Sequence, residues 1–159
     1  GDIAAALTNV VLLGAGGATR AAIVALKDAG AGEITLTNRS GEKAAALAQE
    51  FSLKTVPWET KNAALHAATL LVNTTSLGMA GNQALELDLA GLPTDAAVHD
   101  IVYAPLETEL LKTARARGNK TVDGLGMLLY QAQAAFHAWH GVLPEVTPEL
   151  RAHVLESNE

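Results

Sequence analysis

A glycine-rich turn near the start of the chain has the residue types and spacing that bind a diphosphate. It reads Gly14-Ala15-Gly16-Gly17-Ala18-Thr19 and follows an apolar run over residues 10–13. In a strand–turn–helix unit the first glycine permits a tight turn, and the second lets the backbone approach a pyrophosphate at the helix N-terminus. Thr19 stands where the third glycine would be, so the fingerprint is incomplete. The flanking strand and helix patterns favour nucleotide binding over a plain turn.

A second polar cluster, Asn38-Arg39-Ser40, ends the next predicted strand. An NAD site usually has an Asp or Glu near this point for the ribose hydroxyls, and this stretch has no acid. A guanidinium donates paired hydrogen bonds to a 2′-phosphate and stacks on adenine, while Asn38 and Ser40 add neutral donors. We therefore expect NADP rather than NAD, with Arg20 adding positive potential. Ser40 is also expected to cap the helix that follows.

The elements that must hold these residues follow from an alternation of short apolar runs with Ala-rich stretches. The predicted strands cover residues 10–13, 34–37, 54–56, 70–72, 98–102 and 121–122. The predicted helices cover residues 18–29, 41–51, 59–67 (weakly), 107–117, 124–140 and about 147–157. This alternation predicts an α/β fold of the Rossmann type, a doubly wound parallel sheet of about six strands with helices on both faces.

Composition limits the class of protein further. The chain has 159 residues, of which 49 % are hydrophobic and 18 % charged, enough for the packed core of one domain. A net charge of -6 argues against nucleic-acid and anionic-membrane surfaces. The lack of cysteine excludes disulfides and thiol nucleophiles, and His99, His137 and His140 lack metal-ligand spacing, so no metal site is expected. Without an apolar run of about 18 residues or a signal peptide, a soluble cytoplasmic domain is predicted.

Five motifs carry a resemblance to a known family. They are Gly14-Ala15-Gly16-Gly17-Ala18; Asn38-Arg39-Ser40; Asn73-Thr74-Thr75 with Gly78-Met79; Asp100-Ile101-Val102-Tyr103 with Pro105 and Thr108; and Asp123-Gly124-Leu125-Gly126-Met127-Leu128 through Gln131, Phe136, Trp139 and Gly141. In this order they resemble the cofactor-binding half of shikimate dehydrogenase, over about residues 10–144. That family reduces 3-dehydroshikimate to shikimate with NADPH in aromatic amino-acid (chorismate) biosynthesis.

The resemblance implies a cofactor site and one wall of a substrate site. The cofactor-binding residues that it implies are Gly14, Ala15, Gly16, Gly17 and Ala18 at the pyrophosphate, Asn38, Arg39 and Ser40 at the 2′-phosphate, Asn73, Thr74 and Thr75 along the cleft, and Ile101, Gly124 and Met127 beside the nicotinamide. It implies that Tyr103 and Gln131 reach the substrate. Several of these residues follow predicted strands, where open parallel sheets bind ligands. Phe136 and Trp139 are interpreted as packing residues.

The resemblance also implies what this chain lacks. The family's catalytic Lys and Asp lie in a substrate-binding domain that precedes the cofactor domain, and no matching motif occurs here. We therefore assign no catalytic residue, and expect residues 1–159 to form a single NADP-binding domain that binds cofactor but is nearly inactive by itself. The last predicted helix is expected to pack toward the absent domain. The face left exposed favours a homodimer.

Two alternatives stay open at this point. A quinate/shikimate dehydrogenase homologue with NAD or dual cofactor use would share most of the motifs, although Arg39 argues against strict NAD use. A non-catalytic NADP-binding regulatory domain would need the glycine turn but no substrate wall. Tyr103 and Gln131, in their family contexts, argue against that second alternative.

Overall fold

A computed structural model describes residues 7–156 and confirms the alternation of strands and helices. The strands are β1 (Asn9–Leu13), β2 (Glu33–Thr37), β3 (Lys54–Thr55), β4 (Leu70–Asn73), β5 (Ala97–Asp100) and β6 (Lys120–Val122). The helices are α1 (Gly17–Asp28), α2 (Gly41–Phe51), α3 (Glu109–Ala116), α4 (Leu125–His140) and α5 (Pro148–Glu156). Two short 3₁₀ turns, Trp58–Thr60 and Ala63–Ala67, stand where a weak helix was predicted.

The six strands form one sheet in the order β3-β2-β1-β4-β5-β6, and every pairing is parallel. The chain winds outward from β1 in one direction and from β4 in the other, which confirms the doubly wound Rossmann-type fold. In the register between these two neighbours, Leu13 pairs with Asn73. The loops that leave β1 and β4 therefore diverge from the same edge of the sheet, where such folds bind ligands.

The central strand explains why both faces of the sheet are covered. The side chains of Val11 and Leu13 join one buried cluster, which includes residues of α3, and those of Val10 and Leu12 join another, which includes residues of α1 and α2. Successive side chains of a strand point to opposite faces, so an unbroken apolar run requires a layer of structure on each side. Leu12 and Leu13 are accordingly completely buried.

Side-chain hydrogen bonds set two element boundaries that differ from the predicted ones. β5 was expected to continue to residue 102, but the N–H of Val102 donates to Asp100 Oδ1 at 3.1 Å instead of to a neighbouring strand. α3 was expected from residue 107 and begins after Thr108, whose hydroxyl accepts from Leu111 N at 3.3 Å. The predicted cap at Ser40 is confirmed, since its Oγ accepts from Lys43 N.

The interpretation of Phe136 and Trp139 as packing residues is wrong within the described part of the chain, where both side chains are exposed. Trp139 is 80 % exposed and Phe136 is 44 % exposed, its ring 4.4 Å from that of His140. The 16 residues of α4 extend about 24 Å, whereas the three residues of β6 span about 10 Å. The buried residues of α4, Leu125 and Leu129, lie in its first half, and the exposed rings lie in its second half. Among residues 7–156, no helix is long and apolar enough to cross a membrane.

The last helix, α5, is tied to the sheet domain by an ion pair. Arg151 Nη2 lies 2.6 Å from Asp123 Oδ2, just after β6. Residue 157, the predicted last residue of this helix, lies outside the described residues. The expectation that α5 also faces another domain stays a prediction.

Candidate nucleotide-binding site

The glycine turn joins β1 to α1, and its first glycine has no room for a side chain. Gly14 has a φ of +120°, and a Cβ there would lie 2.6 Å from Thr74 Oγ1. Its N–H donates to the carbonyl of Thr37, at the end of β2, over 2.8 Å. Cβ atoms at Gly16 and Gly17 would instead meet nothing within 4 Å. The turn is therefore tight against the sheet and open above the N-terminus of α1, as close approach of a diphosphate requires.

A cleft of about 370 Å³ opens above this turn, at the carboxyl ends of β1, β2 and β4. Its lining residues are Gly14, Ala15, Gly16, Asn38, Arg39, Ser40, Lys43, Trp58, Thr74, Thr75, Ser76 and Leu77. The structure thus brings together the glycine turn, the polar end of β2 and the loop after β4, which lie far apart in the sequence. That these residues bind a cofactor stays a prediction.

Four lining residues were not among the predicted site residues: Lys43, Trp58, Ser76 and Leu77. Lys43 lies three residues after Ser40 in the first turn of α2, so the spacing alone could have placed it on the same side of the helix. Trp58 carried no comparable signal, because only the tertiary fold brings the segment after β3 to the cleft. Its ring packs against one buried cluster, with Lys61 Nζ 4.8 Å from the ring centre.

The cleft has a positive electrostatic character at the end of β2. Among the described residues that line it, Arg39 and Lys43 are cationic and none is acidic. Asn38 Nδ2 donates to the carbonyl of Ser40 at 3.0 Å and so shapes the turn between β2 and α2. Arg39 is exposed, and its Nη1 lies 3.3 Å from Gln83 Oε1. A carboxylate here would repel a phosphate, whereas two cations favour one.

The expectation that Arg20 adds positive potential to the cleft is wrong. Arg20 does not line the cleft. Its guanidinium forms an ion pair with Glu50, near the end of α2, and lies 5.9 Å from the centre of the Phe51 ring. The arginine therefore links α1 and α2 through an exposed ion pair, with a carboxylate as its charged partner.

Asn73 is placed in the interior rather than along the cleft. Its side chain is completely buried, with Nδ2 donating to Leu77 O at 3.3 Å and to Asp100 Oδ1 at 3.0 Å. Its Oδ1 accepts from both the N–H and the hydroxyl of Thr75, at 3.1 and 2.7 Å. All the donors and acceptors of the amide are thus used to hold the loop after β4, including Thr75, which does line the cleft.

Asp100 is a buried acceptor at the end of β5. Oδ1 accepts from Asn73 Nδ2 and Val102 N, and Oδ2 accepts from the hydroxyl of Thr108 at 2.7 Å. Burial raises the pKa of Asp100, while the hydrogen bonds from Thr108, Val102 and Asn73 oppose that shift. The carboxylate therefore joins β4, the segment after β5 and the start of α3. In the sequence this aspartate was notable only as part of the motif that begins at residue 100.

A second, more apolar groove of about 350 Å³ lies on the sheet face that carries α1, between α1 and α4. It brings together Ile101 and Met127, predicted to lie beside the nicotinamide, and Gln131, predicted to reach the substrate. Ala18, at the start of α1, also lines it. The predicted nicotinamide and phosphate positions therefore occupy two separate depressions: the turn up to Gly16 lines the first, and α1 from Ala18 onward lines the second.

Gly124 and Tyr103 line neither depression. A Cβ at Gly124 would lie 2.1 Å from the carbonyl oxygen of Ile101, so the glycine is explained by close approach of two backbone segments. Tyr103 is 44 % exposed, so its ring does not belong to the core. Their predicted contacts with cofactor and substrate stay predictions.

His99, on β5, should make the stability of the domain depend on pH. Desolvation by burial lowers the pKa of His99 below its ordinary value of 6.5, more than Asp100 and Asp123 raise it. The unfolded chain therefore takes up this proton more readily than the folded one. Stability contributed by the neutral imidazole is present above about pH 6.5 and is lost as the pH falls below it.

We expect the free energy of unfolding of the wild type, measured by urea denaturation between about pH 7.5 and 5.5, to fall more steeply than that of His99→Leu. Asp100 titrates in both proteins, so its contribution is common to the two slopes. Equal slopes would contradict the assignment to His99.

The strand order, the turn between β1 and α1 and the cleft above it define a class of protein, the dinucleotide-binding domains of the Rossmann type. In residues 7–156, no group of three or more His, Cys, Asp or Glu side chains is placed to hold a metal ion. The family model described as Shikimate / quinate 5-dehydrogenase matches residues 3–82, which is half of the chain. The chain belongs to this family, as its motifs predicted.

Curated relatives and solved structures agree with this assignment. Shikimate dehydrogenase (NADP(+)) of Rhodopseudomonas palustris strain BisB5 is 57% identical over 148 residues, covering 92% of this chain and 52% of that protein. Shikimate 5-dehydrogenase from Thermus thermophilus, solved with NADP(H) and shikimate, has a TM-score of 0.80 and 39% identity over 94% of this chain and 55% of its own. Quinate dehydrogenase from Corynebacterium glutamicum, solved with NAD, has a TM-score of 0.87 and 34% identity over the same shares. The chain spans about half the length of the curated relatives it matches.

Proposed function

We propose that this chain is the NADP-binding domain of a shikimate dehydrogenase, the enzyme that reversibly reduces 3-dehydroshikimate to shikimate in aromatic amino-acid biosynthesis. The observation that carries the proposal is the cleft at the ends of β1, β2 and β4, which has two cations and no acid at the end of β2. The relatives named NADP(+)-dependent shikimate dehydrogenases support the same cofactor and reaction.

The residues of the cleft fit NADP. Gly16 and Gly17 leave open space above the N-terminus of α1, where unpaired N–H groups favour the negative charge of a pyrophosphate. Arg39, Ser40 and Lys43 would hold the 2′-phosphate, because a guanidinium, a hydroxyl and an ammonium all donate to phosphate oxygens. The cofactor, when bound, supplies the hydride for reduction of the ketone.

The second groove would position the reacting end of the cofactor. Ile101 and Met127 provide an apolar wall that excludes water from one side of the nicotinamide position. Gln131 lies on the rim of the same groove, where its amide would orient the polyhydroxylated ring of the substrate. Tyr103, exposed beyond the end of β5, would contribute a phenolic hydroxyl to the same wall.

We infer that the proton donor for ketone reduction comes from residues outside this chain, because the chain spans about half the length of its relatives. Ketone reduction needs a proton donor near the developing alkoxide as well as a hydride. We therefore expect these 159 residues alone to show almost no NADP-dependent oxidation of shikimate. Robust turnover, followed by the absorbance of NADPH, would overturn this inference.

Titration calorimetry with NADP and NAD tests the cofactor assignment directly. The wild-type chain should bind NADP at least tenfold more tightly than NAD, since the 2′-phosphate adds charge-assisted hydrogen bonds. Equal affinities would contradict the role of the β2 end, and no binding of either would contradict the proposed function. Neither alternative is favoured. Against a quinate/shikimate dehydrogenase homologue with NAD or dual cofactor use stand the lack of an acid at the β2 end and the NADP(+) in the relatives' names, and against a regulatory domain stand relatives that are named as enzymes.

A further inference from the structure

We propose that Thr19 and Thr74 form a hydroxyl relay that holds the phosphate-binding turn in its binding conformation before a nucleotide arrives. The inference rests on the proposed function, since it assigns positioning residues to the same site. Thr19 occupies the place of the third glycine of the dinucleotide fingerprint, where the sequence match was incomplete. Both side chains are buried: Thr19 is 0 % exposed and Thr74 is 7 % exposed.

The direction of the relay follows from counting hydrogens. The hydroxyl of Thr74 donates to the carbonyl of Leu13 at 2.7 Å, and a carbonyl only accepts. The 2.7 Å contact between Thr74 Oγ1 and Thr19 Oγ1 must then use the hydrogen of Thr19. The oxygen of Thr19 in turn accepts from the N–H of Gly16 at 3.1 Å. The relay therefore runs from Gly16 through Thr19 and Thr74 to Leu13, and each hydroxyl donates once.

The relay connects three elements that form the phosphate site. Leu13 ends β1, Gly16 precedes α1, and Thr74 follows β4. A Cβ on Gly14 would lie 2.6 Å from Thr74 Oγ1 and 3.1 Å from Thr19 Oγ1, so the first glycine provides the space that the two hydroxyls occupy. The positive φ of Gly14 and the two hydroxyls beside it, that of Thr74 being the nearer, thus both favour glycine at the first fingerprint position.

The relay also determines which backbone N–H groups at the start of α1 are available to bind a ligand. Gly16 N–H is already bonded to Thr19 Oγ1, and the first intrahelical bond of α1 joins Arg20 N to Gly16 O at 3.2 Å. The N–H groups of Gly17, Ala18 and Thr19 lie between these two and have no acceptor within the helix. They are therefore the amides directed at a pyrophosphate, in a conformation that the relay fixes.

Isosteric removal of one hydroxyl tests the relay. Thr19→Val and Thr74→Val should each weaken NADP binding about tenfold, because the competent conformation of the turn becomes a minor one. The double variant should lose about as much as either single variant, since the two hydroxyls act as one unit. Thr19→Ser keeps the hydroxyl and should restore affinity. Thr37→Val is the matched control: Thr37 is equally buried, its Oγ1 has no partner among residues 7–156, and its replacement should leave affinity unchanged.

A ligand without a pyrophosphate separates positioning from a general structural defect. Adenosine 2′-monophosphate, titrated by NMR, would contact the Arg39 side of the cleft but not the glycine turn. Its affinity should be unchanged in Thr19→Val, while that for NADP falls. Equal losses for both ligands, or unchanged NADP affinity, would overturn the relay. If the wild type binds neither ligand, the proposed function fails instead.

Amide hydrogen exchange gives a second readout without any nucleotide. The N–H of Gly16 should be protected in the wild type and in Thr19→Ser, and should exchange at least tenfold faster in Thr19→Val. Equal exchange of the Gly16 amide in the wild type and Thr19→Val would overturn the relay even if the affinities differ.

Discussion

Replacing Arg39 by alanine is expected to weaken NADP binding by about 2 kcal/mol, roughly 30-fold, and to weaken NAD binding much less, because only NADP carries the 2′-phosphate. The guanidinium is exposed at the mouth of the cleft, with a single 3.3 Å contact to Gln83, so it is available for a phosphate. Its removal deletes a charge-assisted donor pair without disturbing the core. Lys43 would retain part of the attraction, so the loss should be larger in Arg39→Ala/Lys43→Ala than in either single variant.

The matched control for this prediction is Arg20→Ala. Arg20 lies in the first turns of α1 and is similarly exposed, but it is paired with Glu50 and does not line the cleft. Its replacement should change the affinities for NADP and NAD by less than about twofold. Titration calorimetry of both variants at one fixed ionic strength provides the comparison. A preference for NADP that survives Arg39→Ala unchanged would refute the 2′-phosphate assignment.

Replacing Asp100 by alanine is expected to destabilise the domain by on the order of 4 kcal/mol. The variant leaves the N–H of Val102 and the hydroxyl of Thr108 without their acceptor in the interior, and removes one of the two acceptors of the Asn73 amide. Leaving a buried donor without a partner lowers the free energy of unfolding by more than the net contribution of one hydrogen bond. Urea denaturation, with the slope compared as well as the midpoint, measures the effect.

Asp88→Ala provides the comparison for that experiment. Asp88 is exposed, and its carboxylate accepts a single hydrogen bond, from Ala90 N at 2.8 Å. Its loss should cost less than about 1 kcal/mol, because water replaces the carboxylate. A cost for Asp100→Ala as small as that for Asp88→Ala would show that the network around β5 contributes little to stability.

The network of Asp100 also has a consequence for the binding site. Through Asn73 it holds Thr75 and the carbonyl of Leu77, both in the loop that lines the cleft. Through Val102 it fixes the backbone that leads to Tyr103. One wall of the cleft above the glycine turn therefore depends on a buried carboxylate that does not itself line the cleft.

Local patterns in the sequence were sufficient to predict the strands and helices and the polar residues that follow two of the strands. The apolar run that becomes β1, the glycines that follow it and Asn38-Arg39-Ser40 after β2 are each contained in a few consecutive residues. Strand, turn and cap preferences act over such distances, so these features could be predicted without knowledge of the fold. The parallel, doubly wound sheet then followed from the alternation of strands and helices.

The tertiary structure alone decided which residues meet. Thr19 and Thr74 are 55 positions apart, and Asn73 and Asp100 are 27 apart, so no local pattern could reveal these contacts. Trp58 reaches the cleft only because β3 lies at the edge of the sheet beside β2. The exposure of the second half of α4 could not be predicted from local patterns either, since an apolar helix face is buried only where another layer lies against it. The sequence by itself determined the type of each element and the chemistry at strand ends, whereas hydrogen-bond partners and burial depended on packing between distant segments.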